Sequence, residues 1–134
     1  MTDIDFITVQ CPNCNTPQEI LIWKSLNVTL SPEGKEDLFS GKINVLNCKK
    51  CGFISTILHP LLYNDMQRHF CVYYFPESFV DDDRFLEGWF TKEGKLKIIN
   101  VPELGYMADP HIVFNIVELL SYVHFKDRLY DMLP

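Results

Sequence analysis

Two C-x-x-C pairs, Cys11-Pro12-Asn13-Cys14 and Cys48-Lys49-Lys50-Cys51, constrain this chain more than any other feature. A C-x-x-C turn aims two thiolates at one point while the backbone N–H groups that follow point at the sulfurs. The residue after the second cysteine then favours a left-handed backbone, which suits glycine and next best asparagine. Asn15 follows the first pair and Gly52 follows the second. Two such turns facing each other supply four sulfurs at tetrahedral positions. Cys11, Cys14, Cys48 and Cys51 are therefore expected to hold a structural metal ion, zinc first and iron as the alternative. A donor set filled by four protein sulfurs leaves no open position for substrate or water, so a catalytic metal is not expected.

The 33 residues between Cys14 and Cys48 exceed ordinary ribbon spacing, so an insertion must lie between the turns. The alternation of 5–10 reads as a strand into the first turn, and 18–23 as a strand out of it. Ser31-Pro32-Glu33-Gly34 opens a short helix that Ser40-Gly41 stops. Residues 43–45 read as a strand into the second turn and 53–58 as a strand out. Beyond these, 70–75 is apolar throughout, as in a strand covered on both faces, and ends at Pro76. Asp81-Asp82-Asp83 reads as a solvated loop rather than a calcium loop, because the spaced oxygen ligands are missing. Trp89-Phe90 and Leu96-Lys97-Ile98-Ile99 flank a hairpin turn at Glu93-Gly94. Residues 112–114 read as a strand, and Asn115 with Glu118 opens a helix bearing Leu119, Leu120, Val123 and Leu129. The expectation is one α+β domain over 1–134. It has a zinc-ribbon-like antiparallel core with two paired knuckle hairpins at about 4–60. A short inserted helix lies within that part, and further strands and a C-terminal helix fill 66–134.

Here the residues resemble the CpXC family. The likeness is carried by both cysteine pairs, by Ile22-Trp23-Lys24-Ser25-Leu26-Asn27 and the Ser-Pro helix, and by Pro60-Leu61-Leu62-Tyr63-Asn64-Asp65-Met66. Lys49 stands where the family commonly has proline, and Asn15 where glycine is common. Neither departure removes a sulfur. The resemblance implies the fold and a four-cysteine zinc site, and it brings no established activity.

Charge narrows the function classes. Twelve Lys and Arg against eighteen Asp and Glu leave a net charge of −6, shared by both halves of the chain. Such a molecule repels a polyanion, so nucleic acid is not the expected partner. Lys49 and Lys50, with Lys24 and Lys42, read as compensation for thiolate charge rather than as phosphate contacts. The longest charge-free stretch is 51–64 and contains Pro60, so no membrane span is expected. The first residues carry neither a basic flank nor an apolar run, which leads to the expectation of a cytoplasmic protein. Cys71 reads as a small buried hydrophobe, and His59, His69, His111 and His124 as histidines outside any ligand set. Three function classes follow. They are a structural zinc module that binds a protein partner, an iron electron carrier of the rubredoxin kind, and an enzyme working away from the metal through Asp65 or His69.

Overall fold

The structure, a computed structural model, describes residues 3–97 and 102–134. Strands β1 (Asp3–Gln10) and β2 (Pro17–Asn27) form an antiparallel hairpin whose last pair is Gln10 with Pro17, so the first cysteine turn is its tip. The inserted helix α1 spans Pro32–Phe39, with proline in its first turn. Strands β3 (Val45–Asn47) and β4 (Ile54–Thr56) form the second antiparallel hairpin, with the second cysteine turn at its tip. Then come β5 (Leu61–Asp65), β6 (Phe70–Tyr74), α2 (Asp83–Trp89), β7 (His111–Val113) and α3 (Ile116–Met132).

The fold is mixed α+β, and the core sheet is not antiparallel as expected. Its order is β1-β2-β5-β6-β7, with parallel junctions between β2 and β5 and between β6 and β7. The second knuckle hairpin forms a separate two-stranded sheet. The reason lies in the connections. The short turns 11–16, 48–53 and 66–69 return each strand antiparallel, whereas the long excursions after β2 and β6 carry the chain back to the end of the sheet from which the previous strand began. Leu61–Asp65, which shows no strand periodicity, is the middle strand of the sheet. Leu61, Tyr63, Asn64 and Asp65 of β5 are all buried, so no polar face marks it as a strand.

Other expectations need correction. The strand expected at 43–45 starts only at Val45, because Asn44 has a left-handed backbone (φ 54°). Its side chain replaces a strand partner. Asn44 Oδ1 accepts Trp23 N–H at 2.7 Å and Nδ2 donates to Trp23 O at 3.1 Å, which ties the second hairpin to β2. The strand expected at 53–58 is confined to Ile54–Thr56. The three aspartates are not a plain loop, since Asp82 caps α2 by accepting the N–H groups of Arg84 and Phe85. Trp89 ends that helix instead of forming a strand. The turn at Gly94 (φ 82°) is closed by a single bridge, Phe90 with Leu96, and Ile98 and Ile99 lie outside the described residues.

The main core lies between the sheet and the two longer helices. Leu26, Tyr63, Val72 and Val113 of the sheet meet Leu38 of α1 and Leu119 and Val123 of α3. Leu129, expected on the same stripe, lies at the exposed end of α3. Gly34 permits the contact between α1 and β2, because a Cβ there would collide with Leu26 Cδ1. Past β6, buried Phe75 gathers Phe85, Trp89 and Phe90 around it at centroid distances of 5.1–5.8 Å, which fastens α2 to the sheet.

Candidate metal centre

Each knuckle is built by the same local backbone pattern. In the first, Cys11 N–H donates to Thr16 O (3.1 Å) and Asn15 N–H to Cys11 O (2.8 Å). In the second, Cys48 N–H donates to Phe53 O (2.9 Å) and Gly52 N–H to Cys48 O (2.8 Å). Closing the turn this way needs a left-handed residue after the second cysteine. Asn15 (φ 60°) and Gly52 (φ 76°) supply it, as the spacing predicts.

The tertiary fold brings the two tips together. All four sulfurs lie within 4.8 Å of one another, with Cys11 Sγ 3.6 Å from Cys51 Sγ and Cys14 Sγ 3.6 Å from Cys48 Sγ. All four are free thiols. Four sulfurs at about 2.3 Å from a central ion form a tetrahedron with edges of about 3.8 Å, so the donor set fits a tetrahedral thiolate-bound cation. Cys11 and Cys48 are buried against Leu46, with Val9, Ile20 and Ile57 packed around them, while Cys51 faces solvent. Each hairpin thus contributes one inner and one outer sulfur.

Thiolate charge at such a centre needs donors. Gln18 Nε2 lies 2.6 Å from Cys48 Sγ, Asn13 Nδ2 3.5 Å from Cys51 Sγ, and Cys51 N–H points at Cys48 Sγ from 3.5 Å. These donors set the thiols apart. The backbone N–H of Cys51 draws the Cys48 thiol down to about 6, and the Thr16 hydroxyl lowers Cys14. Burial pushes Cys11 up to about 11. A cation arriving at the four sulfurs displaces the thiol protons that remain.

Among the described residues, no lysine ammonium is seen to hydrogen-bond to the sulfurs. Lys24 pairs with Asp5 at 3.4 Å, and Lys49 contributes its backbone N–H to Gln18 Oε1 at 3.0 Å. Among the described residues, the side-chain N–H donors to the four clustered sulfurs are the amides of Asn13 and Gln18. Sequence reading missed both. Asn13 was visible as the amide inside the first turn, but Gln18 reaches the other knuckle only through a register and docking that no local pattern records.

Away from the cysteines, Asp65 is 1% exposed and fixes the turn after β5. Its Oδ1 accepts Arg68 N–H at 2.8 Å and its Oδ2 pairs with the Arg68 guanidinium at 3.3 Å. Arg68 also reaches Asp127 and Asp131, pinning that turn to α3. Asn64 accepts the Tyr106 hydroxyl at 2.6 Å. The segment 63–65 is thus a buried polar seam of the sheet. His69 and His111 line a shared cavity of about 590 Å³ with Cys71, His69 beside the Tyr106 ring and His111 stacked on Tyr122. Cys71 is buried as expected, and burial holds its thiol up at about 11, so it is a poor nucleophile at neutral pH. Among the described residues, no helix is long and apolar enough to cross a membrane.

The family model described as CpXC protein matches residues 9–120, which includes all four clustered cysteines and runs well beyond Met66, where the resembling motifs end. No curated protein and no solved structure matches the chain.

Proposed function

The chain belongs to the CpXC family, and on that premise we propose that it is a structural zinc domain serving as a protein-interaction module. Cys11, Cys14, Cys48 and Cys51 hold the ion in a zinc-ribbon-like pair of knuckles. The observation that carries this reading is the convergence of four sulfurs from two hairpin tips within 4.8 Å. Such a set closes the coordination sphere with protein alone, which suits a staple and not a reaction centre. Thiols kept free for a metal suit a reducing compartment, the cytoplasm. Large apolar side chains left at the surface, Phe6, Leu58 and Val117 among them, support a role in binding another protein. The acidity of the chain argues against a nucleic-acid partner.

A second reading, an iron electron carrier, draws on the exposure of Cys51, since a sulfur at the surface gives an electron a short way out. Metal analysis of the purified protein separates the two. A colourless protein with one zinc per chain is expected, and a red iron-loaded protein would replace the first reading with the second. Structural zinc contributes about 10–16 kcal/mol of apparent binding energy in small peptides, against about 5–15 kcal/mol of net stability for a domain. Cys11→Ala or Cys48→Ala should therefore abolish the cooperative thermal transition, and an unchanged Tm would refute the structural role.

A further inference from the structure

We propose that the groove between the second knuckle hairpin and the main sheet docks a segment of a partner protein, one with apolar side chains flanked by lysine or arginine. The proposal deepens the interaction reading above and rests on it. The groove has a volume of about 420 Å³, within the size range of ligand pockets. It lies where the end of α1, both strands of the small sheet, β5, β6 and the start of α3 meet. Its floor is the buried core itself: Leu38, Ile43, Leu61 and Tyr74. Its lip carries Leu58 and Ile116, which are 61% and 42% exposed. Core side chains that reach the surface at the bottom of an apolar cleft leave water against hydrocarbon, and an entering apolar side chain removes that cost.

Charge selects the occupant. Glu77 lines the groove, and a smaller adjoining cavity shares Glu77, Phe114 and Asn115 with it and adds Asp81 and Glu118. None of the described residues lining either cavity is Lys, Arg or His, and none of these three carboxylates forms an ion pair among the described residues. Glu118 is engaged by Asn115 Nδ2 at 2.6 Å and offsets the positive end of α3, which leaves Glu77 and Asp81 to set the sign of the rim. A rim of uncompensated carboxylates on a chain of net charge −6 attracts cationic flanks and rejects acidic ones.

The test selects displayed random peptides against the zinc-loaded full chain. Enriched peptides should place apolar residues beside Lys or Arg. Their binding should fall at least about tenfold on Leu58→Ser/Ile116→Ser, whose side chains are exposed and whose loss leaves the core intact. Glu77→Lys should weaken binding and flatten its salt dependence. Enrichment of acidic or uncharged peptides, absence of any enrichment, or unchanged affinity in both variants would overturn the proposal. So would concentration-dependent dimerisation of the free chain that the Leu58→Ser/Ile116→Ser pair abolishes, since a second copy would then be the occupant. Partner capture from lysate that survives in the paired variant would sink the groove while leaving the interaction module standing. A wild-type chain that captures no partner would sink the module itself.

Discussion

Gln18 spans the two knuckles: its Nε2 lies 2.6 Å from Cys48 Sγ while its Oε1 accepts the N–H of Lys49 at 3.0 Å. A side chain from β2, just past the first cysteine turn, thus orients the backbone of the second turn and supplies a donor to its inner sulfur. It joins the tips before any cation does, which lowers the cost of assembling four sulfurs at one point.

Gln18→Leu removes that brace without removing a ligand. Metal affinity is expected to fall by about 10–100-fold, the usual cost of losing a group that orients a metal ligand. The metal-saturated protein should keep its circular dichroism spectrum. Competition with a chromophoric chelator measures the change, and an affinity equal to wild type would show that Gln18 does not position the site.

Cys71 sets an alkaline limit. Its thiol is raised from 9 to about 11 by burial, with Asp109 adding repulsion. The sign follows from linkage. A group whose folded value lies above its unfolded value contributes stability in full below the unfolded value, and that contribution disappears as pH rises through the folded one. Stability should therefore decline between about pH 9 and 11 by an amount that Cys71→Ala abolishes. Chemical denaturation across that window checks it. Iodoacetamide at pH 8 should leave Cys71 unmodified in the folded chain.

Gly34→Ala should destabilise the protein by about 1–2 kcal/mol, although alanine is the better helix former. The added methyl meets Leu26 Cδ1, and Leu26 is fully buried in a close-packed core that yields little room. Urea denaturation reads the change. A stabilised variant would mean that α1 lifts off β2 freely.

Tyr63→Phe is expected to leave stability unchanged or to raise it by up to about 1 kcal/mol. The Tyr63 hydroxyl is buried with no hydrogen-bond partner beside Asp65, Arg68 and Asp127, so its removal relieves an unmet desolvation cost. A loss above about 1 kcal/mol would instead reveal an ordered water bridging the hydroxyl to the ion pair of Arg68 Nε with Asp127 Oδ1, two atoms that make no hydrogen bond of their own.

The knuckles were legible because their signals are local. Asn15 and Gly52 each answer a backbone demand set by the cysteine four residues before them, and Asn115 acts over as short a range, its Oδ1 accepting Glu118 N–H at 2.8 Å. Even there the match is incomplete, since Glu118 returns its carboxylate to the Asn115 amide rather than to the Asn115 backbone. Strand β5 was illegible for the opposite reason. Asn64 and Asp65 look like turn residues in sequence, and they are tolerated in mid-sheet only because Tyr106 and Arg68, distant or not yet placed, satisfy them.

By itself the sequence determined which sulfurs converge and that each pair sits on a hairpin tip, because a C-x-x-C turn and its left-handed residue are decided within about six positions. It determined the starts of α1, at Pro32, and of α3, at Asn115, by the same short-range chemistry, but not that of α2. The tertiary structure alone decided the two parallel junctions, the central place of β5, the Gln18 brace and the acid-rimmed groove. Those depend on which distant segments share a core, and side-chain packing between segments leaves no period in either one.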